Sequence, residues 1–245
     1  RRILTPPGEG QHTPDIPNWC WYEYGMRVGI WRMMEVLKDY NITPTVSMNG
    51  TVVDVYPRVS EEALKLGWEF MGHSFVQKAM FLLDDQMEAI QKTSDHLRAF
   101  CGYKPRGWMG PGLTQTEETP ELLVKGGFEY TADWILDDQP VRVNTDAGDL
   151  FSVPYTTELN DIPIMLSQSH VSSALYDRTM DYFNTLYEEG KDNVKIMSIA
   201  VHPYIHGVPH RIPYFRKIFQ ELSRKPGVVF MTGAEILDWY LGQQD

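Results

Sequence analysis

Short β-rich runs alternate with helix-patterned segments along most of this chain, and this alternation constrains the fold more than any other feature. Strands joined by helical crossovers form a parallel sheet, and seven of them favour a barrel over an open sheet. The predicted strands are "TPTVSMN" (43–49), "WEFMG" (68–72), "RGWMG" (106–110), "FEYTADW" (128–134), "LFSVPY" (150–155), "VKIMSIAVHP" (194–203) and "GVVFMT" (227–232).

Helical periodicity fills the intervals between these runs. The predicted helices cover residues 24–40, 57–66, 84–100, 119–127, 175–189, 212–224 and 233–242. A length of 245 residues fits one domain spanning residues 1–245, since α/β barrels reach this size as a single unit. Residues 1–22 are rich in proline and glycine and are predicted to form an extended N-terminal loop. The expected first strand therefore lies upstream of Arg1 or is absent.

Composition limits the classes of partner. The formal net charge is −11, with 33 acidic against 22 basic residues, which disfavours binding to nucleic acid or to an anionic membrane. No run approaches the roughly 18 apolar residues that a membrane span requires. We therefore expect a cytoplasmic protein that acts on a small molecule. Cys20 and Cys101 are isolated and are interpreted as ordinary core residues.

Reactive residues of such barrels lie at the carboxyl ends of the strands. His73 and His202 each follow an apolar run there, as do Asp133 and Asp138. Candidates for lining a substrate pocket occupy the same predicted face: Gln77, Trp108, Gly110, Pro111, Trp134, Tyr155, Glu158 and Asn160.

Each candidate also has a structural alternative. His73 could be a hydrogen-bonded core histidine, and Asp138 part of a solvated turn. Glu158 and Asn160 could cap a loop. The turn at Gly110 could serve chain reversal alone, or it could direct backbone N–H groups at a developing oxyanion. His206 and His210 are interpreted as exposed rim residues.

The ordered segments "EFMGHS", "RGWMGPGLTQT", "TADWILDDQP", "SVPYTTELNDIP" and "SIAVHPYIHG" resemble the polysaccharide deacetylase family, and within it the allantoinase and cyclic-imide-hydrolase branch. The resemblance runs from about Thr5 to Leu241. It implies a distorted (β/α)₇ barrel and hydrolysis of a carbon–nitrogen bond that is not a peptide bond. Relatives of this branch commonly form tetramers, so a homo-oligomer is expected.

Metal-dependent members of the family carry an HxxxH motif and a pair of first-strand aspartates. His73 matches the first histidine of that motif, whereas Gln77 stands where the second would be. A glutamine carbonyl is a poor ligand for Zn²⁺. Glu9 is the nearest acidic candidate for the missing aspartates. The first expectation is that no cofactor is required, with Zn²⁺ or another divalent metal bound by His73 as the alternative.

The resemblance implies water attack on the carbonyl of a small cyclic amide, imide or ureide. His202 would protonate the leaving nitrogen, oriented by Asp133 or Asp138, and His73 would position or activate the water. Trp108 and the Gly110 turn would shape the pocket. The alternatives are N-deacetylation of an N-acetylated sugar or polysaccharide, and ligand binding without catalysis.

Overall fold

A computed structural model describes residues 14–243 of the chain. These residues form two compact units. The first comprises residues 14–41, 156–188 and 198–229, and the second comprises residues 42–155, 189–197 and 230–243. Each unit is assembled from three separate segments, so the two do not correspond to consecutive sequence domains.

Ten α-helices are present in the described residues. They are α1 (Ile16–Tyr24), α2 (Ile30–Asp39), α3 (Val52–Val55), α4 (Pro57–Lys65), α5 (Gln86–Cys101), α6 (Thr119–Lys125), α7 (Ala174–Glu189), α8 (Pro203–His206), α9 (Ile212–Leu222) and α10 (Gly233–Leu241). Two π-helical segments cover Gly25–Gly29 and Pro163–Ser167, and two 3₁₀ turns cover Met80–Leu82 and Pro111–Leu113.

The second unit contains a six-stranded sheet. Its strands are β1 (Thr45–Met48), β2 (Glu69–Gly72), β3 (Gly107–Trp108), β4 (Tyr130–Thr131), β5 (Val141–Thr145) and β6 (Gly148–Ser152). The spatial order is β1-β2-β3-β4-β6-β5, and every neighbouring pair is parallel except the β5–β6 hairpin. The carboxyl ends of β2, β3 and β4 therefore lie side by side at one edge.

Buried apolar side chains fix the central strands of this unit. Trp108 of β3 packs with Phe128 in an edge-to-face contact, with ring centroids 5.1 Å apart. The same core cluster contains Met80, Ile90, Leu123, Phe128 and Leu150. Helix α5, which supplies Ile90, begins at an Asp85 cap that accepts from Glu88 N and ends before Gly102 in the left-handed region (φ 82°). The core thus holds the ends of β2 to β4 in place.

In the first unit, two glycines permit close approach of two helical segments. A Cβ on Gly25 would lie 2.6 Å from the backbone nitrogen of Tyr204, and one on Gly29 would collide with the carbonyl of Pro203. The π-helical segment Gly25–Gly29 therefore lies directly against α8. This packing positions the chain immediately after His202.

Five of the seven predicted strands are confirmed, at 43–49, 68–72, 106–110, 128–134 and 150–155. Residues 194–203 and 227–232 are not strands: the first forms only an isolated parallel bridge between Asn160 and Ala200. An apolar run becomes a strand only where a neighbour completes a hydrogen-bonded ladder. Strand β5 was not predicted, although its sequence, Val141-Arg142-Val143-Asn144-Thr145, alternates apolar and polar residues.

The extended loop expected over residues 1–22 is wrong for residues 16–22, which belong to α1. Pro17 stands in the first turn of that helix, where proline is favoured. Residues 1–13, including Glu9, lie outside the described residues. Within residues 14–243, no helix is long and apolar enough to span a bilayer.

Candidate active site

A buried carboxylate in the first unit organises two histidines. Asp161 is fully buried, and its Oδ1 lies 2.6 Å from His202 Nδ1. Its Oδ2 accepts from the backbone N–H of His202 at 2.8 Å and lies 2.8 Å from His206 Nδ1. The side chain of His202 is 35% exposed, whereas His206 is fully buried. The imidazole of His202 therefore reaches the surface, whereas the carboxylate of Asp161 that holds it is buried.

Local sequence explains how this centre forms. His202 is the extended N-cap of α8, and Pro203 follows in the first turn, where its fixed φ suits a helix start. His206 closes the turn four residues later, with its N–H bonded to the carbonyl of His202 at 2.9 Å. Residues four apart lie on one helix face, so both rings meet the same carboxylate.

Asp161 is brought to this position by the isolated bridge. Its backbone N–H donates to Ala200 O at 3.1 Å, and Ala200 N donates to Leu159 O at 3.0 Å. The bridge places the residue after Asn160 beside the segment that leads into His202.

The ionisation of Asp161 follows from its partners. Burial acts to raise the pKa of this carboxyl, but the hydrogen bonds and charges of His202 and His206 outweigh burial, and the pKa is lowered. An ionised carboxylate only accepts hydrogen bonds, so both imidazoles donate from Nδ1. His202 consequently carries its second nitrogen, Nε2, as the atom that can exchange a proton with a ligand.

This arrangement corrects two sequence predictions. The carboxylate that orients His202 is Asp161, not Asp133 or Asp138. Asp138 instead forms an ion pair with Lys195 at 3.3 Å. His206 is a buried partner of Asp161 rather than an exposed rim residue, because α8 turns its ring inward. His210 is exposed, as expected.

The second unit holds a separate polar group at the ends of β2, β3 and β4. His73 follows β2, and its Nδ1 lies 2.5 Å from the carbonyl oxygen of Met109. Asp133 follows β4; its Oδ1 accepts from Gly110 N at 2.7 Å and its Oδ2 from Thr131 Oγ1 at 3.0 Å. Sequence reasoning placed His73, Gly110 and Asp133 at neighbouring strand ends, and the sheet brings these three together.

Asp133 has an environment opposite to that of Asp161. Burial raises its pKa to about 6, and the hydrogen bonds from Gly110 and Thr131 counter only part of that increase. Because the N–H of Gly110 is bonded to Asp133, that N–H is not an available oxyanion donor. Pro111 is buried in the following 3₁₀ turn.

Two predicted pocket residues lie elsewhere. Gln77 is exposed on an irregular segment, so the four-residue spacing from His73 does not place both side chains on one helix face. The left-handed backbone of Ser74 (φ 59°) turns the chain directly after His73. Trp108 has no exposed surface and belongs to the core cluster, so it supports β3 instead of contacting a ligand.

The structure shows the contacts or the burial of the remaining predicted pocket residues. Glu158 is exposed and pairs with Arg178 at 3.4 Å. The side-chain oxygen of Asn160 accepts from Ile162 N at 2.9 Å, as in the loop-capping interpretation. Trp134 is half-buried, and Tyr155 is buried with 8% exposure. Their roles toward a ligand remain predictions.

Comparison with known proteins identifies the family. The family described as "Polysaccharide deacetylase" matches residues 11–131, which include His73, Gly110 and the strands β1 to β4. The chain carries a polysaccharide deacetylase family domain. The resemblance drawn from the motifs is thereby confirmed.

Relatives of this domain extend the match along the chain. A Schizosaccharomyces pombe protein, named as a polysaccharide deacetylase, is 28% identical over 241 residues, covering 88% of this chain and 73% of the relative. The crystal structure of a probable polysaccharide deacetylase from Pseudomonas aeruginosa PAO1 is 26% identical, with a TM-score of 0.88 over 98% of this chain and 81% of the other.

The crystal structure of the PuuE allantoinase is 24% identical, with a TM-score of 0.88 over 96% of this chain and 80% of the other. At this identity the likeness shows the fold. The α/β fold expected for a polysaccharide deacetylase domain is confirmed by both structures. Members of this family act on carbon–nitrogen bonds other than peptide bonds, in agreement with the expectation that this protein is such a hydrolase.

A divalent metal is the cofactor that the polysaccharide deacetylase family implies. Binding it would require a group of His, Cys, Asp or Glu side chains as ligands. Within residues 14–243, no three His, Cys, Asp or Glu side chains are grouped so that they could hold a metal ion. His73 Nδ1 lies 2.5 Å from Met109 O, and Gln77 is exposed on an irregular segment. The described residues do not fit a metal centre, and no step below passes through one.

Two residues of this centre escaped sequence analysis as functional partners. Asp161 lies in the segment "SVPYTTELNDIP" after the fifth predicted strand, but no local pattern assigns it to His202. His206 carried a usable signal, since "HPYIH" spaces two histidines by one helical turn behind a proline.

Proposed function

We propose that the protein is an N-deacetylase that hydrolyses the acetamide group of an N-acetylated sugar. The pairing of half-exposed His202 with fully buried Asp161 is the observation that carries this proposal. The two relatives at 26–28% identity are named as polysaccharide deacetylases, which supports the substrate class. Opening of a small cyclic amide, the first expectation, has no comparable support among those relatives.

The reaction adds water across the acetamide bond. The water oxygen bonds to the carbonyl carbon, the C–N bond breaks, and the products are acetate and the free amine. Amine expulsion requires a proton on the nitrogen, because an amide anion is a poor leaving group. His202 Nε2 supplies that proton, and general acid catalysis of this kind contributes on the order of 10²–10⁴ in rate.

Asp161 makes His202 suitable for this step. Its Oδ1 fixes the Nδ1–H tautomer and the ring orientation, and its negative charge stabilises the imidazolium before proton transfer. Its second oxygen is held by His202 N–H and His206, so the carboxylate cannot rotate without breaking those bonds. A carboxylate anchored on both oxygens gives the imidazole one orientation.

Cyclic-amide hydrolysis is the second candidate. The specific observation in its favour is that Gln77 occupies the position of the second metal-motif histidine. The two reactions share the attack of water on a carbonyl and the protonation of nitrogen. They differ in product, since ring opening releases no acetate.

The test is product identification with the purified chain. Oligomers of N-acetylglucosamine and a small cyclic imide are incubated in parallel, each with and without added Zn²⁺, and the chain's metal content is measured. We expect acetate and free amine in equal amounts from the oligomers. Ring opening without acetate release would favour the second candidate, and tight binding without turnover of either substrate would favour a binding protein.

A further inference from the structure

His206 is a fully buried histidine that the proposed proton transfer does not use. It ends α8, and its Nδ1 lies 2.8 Å from Asp161 Oδ2. Histidine is usually only partly buried in proteins, and a buried polar ring requires hydrogen-bond partners. Its contact with the carboxylate that orients His202 therefore needs a physical explanation.

Packing alone does not provide one. Within residues 14–243, His206 Nε2 and the nearby Arg211 Nε are buried without a hydrogen-bond partner. Leaving a buried polar atom unpaired costs free energy that an apolar side chain would avoid. Arg211 bonds the carbonyl of Ile205, and its charge acts on Asp161. The cost at His206 is offset by its one strong interaction, which is with an ionised carboxylate.

The geometry of Asp161 indicates what that interaction achieves. Asp161 Oδ1 contacts the imidazole of His202, whereas Oδ2 contacts the backbone of His202 and the imidazole of His206. Without His206, only one backbone N–H would hold Oδ2. The carboxylate could then tilt, and His202 would lose the bond that selects its Nδ1–H tautomer.

We propose that His206 is a positioning residue: it holds Asp161 so that His202 keeps the tautomer and orientation needed for proton transfer. The catalytic part of this inference rests on the proposed function, but the structural part does not. His206 itself contacts neither substrate nor the reacting atoms.

Three substitutions separate positioning from packing. His206→Asn keeps a donor at the position of Nδ1, since both atoms are bonded to Cγ. His206→Gln keeps an amide but moves it one bond farther out, and His206→Leu keeps volume without a donor. His96→Asn is the matched control, because His96 also pairs with an aspartate. Its side chain is 35% exposed, the same fraction as that of His202.

The first readout does not depend on activity. Two-bond ¹H–¹⁵N NMR correlations of the ¹⁵N-histidine-labelled chain, at a pH where the imidazoles are neutral, report the tautomer of His202. We expect Nδ1–H in the wild type and in His206→Asn, and a mixture of tautomers in His206→Leu and His206→Gln. This readout tests the inference even if no acetate is released from the sugar oligomers.

The second readout is kinetic, with acetate release from N-acetylglucosamine oligomers normalised to the folded fraction. Loss of one hydrogen bond to a charged group is expected to lower kcat about 10- to 100-fold in His206→Leu, with little change in KM. His206→Asn should stay within about 3-fold of wild type. If His206→Leu fails to fold, the comparison of His206→Asn with His206→Gln decides the matter.

Two results would overturn the inference. One is a single Nδ1–H tautomer of His202 in every variant. The other is equal kcat in His206→Asn and in the variants that remove or displace the donor. Either result would show that His206 serves packing alone.

Discussion

Asp161 and Asp133 are both buried aspartates, yet the pKa values of their carboxyl groups are shifted in opposite directions. Asp161 is surrounded by His202 and His206, and its pKa is lowered despite complete burial. Within residues 14–243, the carboxyl of Asp133 accepts only from neutral donors, Gly110 N–H and Thr131 Oγ1, and burial raises its pKa to about 6. Burial is common to both, so the ionisable partners decide the charge.

This difference assigns different chemistry to the two groups. A carboxylate that stays ionised can orient an imidazole, as Asp161 Oδ1 does for His202 Nδ1. A carboxyl with a pKa of about 6 is mostly ionised at pH 7 but half protonated near pH 6, so it can donate or accept a proton close to neutral pH. The proton-transfer centre is therefore assigned to Asp161 with His202, and Asp133 remains a candidate acid or base by itself.

The largest effect is expected from Asp161→Asn. The amide removes the charge between two imidazoles and is expected to destabilise the fold by about 3–5 kcal/mol, the typical loss when a buried charged network is broken. The free energy of unfolding is measured by denaturant titration. Full stability in this variant would mean that Asp161 does not anchor the two histidines.

Asp133 is expected to make the fold less stable as pH rises, which is the opposite of the effect expected from Asp161. Between pH 4 and 6 the folded state binds a proton that the unfolded chain releases, so the free energy of unfolding falls by about 3 kcal/mol as pH rises. Asp133→Asn should remove this fall. The check is the difference in unfolding free energy between wild type and variant across that range; a constant difference would contradict the raised pKa.

Asp161 contributes to stability in the reverse sense. Its pKa is lowered in the fold, so its contribution is complete above about pH 4 and is lost as pH falls through the folded pKa. The two carboxyl groups therefore give stability curves of opposite slope in the acid range, and the two Asn variants separate them.

A smaller loss of stability is expected from Thr131→Val, which removes one hydrogen bond to Asp133. Removing the Oγ1 donor leaves the Gly110 N–H bond to the carboxyl of Asp133 in place, and the loss should raise the pKa of Asp133 above about 6. The expected loss of stability at pH 7 is about 1–3 kcal/mol. Denaturant titration at pH 5 and pH 7 measures it, and an equal loss at both values would show that the ionised form is not the one affected.

The smallest effect is expected from Asp54→Asn. His96 Nε2 lies 2.8 Å from Asp54 Oδ2, but Asp54 is 62% exposed, so solvent screens the pair. Such exposed pairs contribute about 0–1 kcal/mol. A loss comparable to that of Asp161→Asn would show that burial of the carboxylate is not what distinguishes the two His–Asp pairs.

Much of the fold could be predicted from sequence, because short apolar runs and helical periodicity are local signals. Five strands and the main helices were placed by them, as were His73, Asp133 and His202 at segment ends. The segments 194–203 and 227–232 were misjudged because strand formation depends on a neighbour, which no local pattern specifies. The apolar run before His202 gains only one bridge, Asn160 to Ala200.

The same non-local pairing explains the error in the candidate site. Asp133, Asp138 and Asp161 all follow predicted strands, and the sequence does not say which of them lies beside His202. That choice is made by the Asn160–Ala200 bridge, 40 residues apart in the chain. Similarly, the four-residue spacing of His73 and Gln77 does not correspond to a helical turn, because the left-handed backbone of Ser74 turns the chain directly after His73.

The proposed proton donor in carbon–nitrogen bond hydrolysis is His202, held by Asp161. The most direct test compares kcat for acetate release from N-acetylglucosamine oligomers by His202→Ala and by the matched surface variant His96→Ala. If His202 is the general acid, we expect a loss on the order of 10²–10⁴ in kcat for His202→Ala and little change for His96→Ala. Full kcat in a folded His202→Ala protein would contradict it.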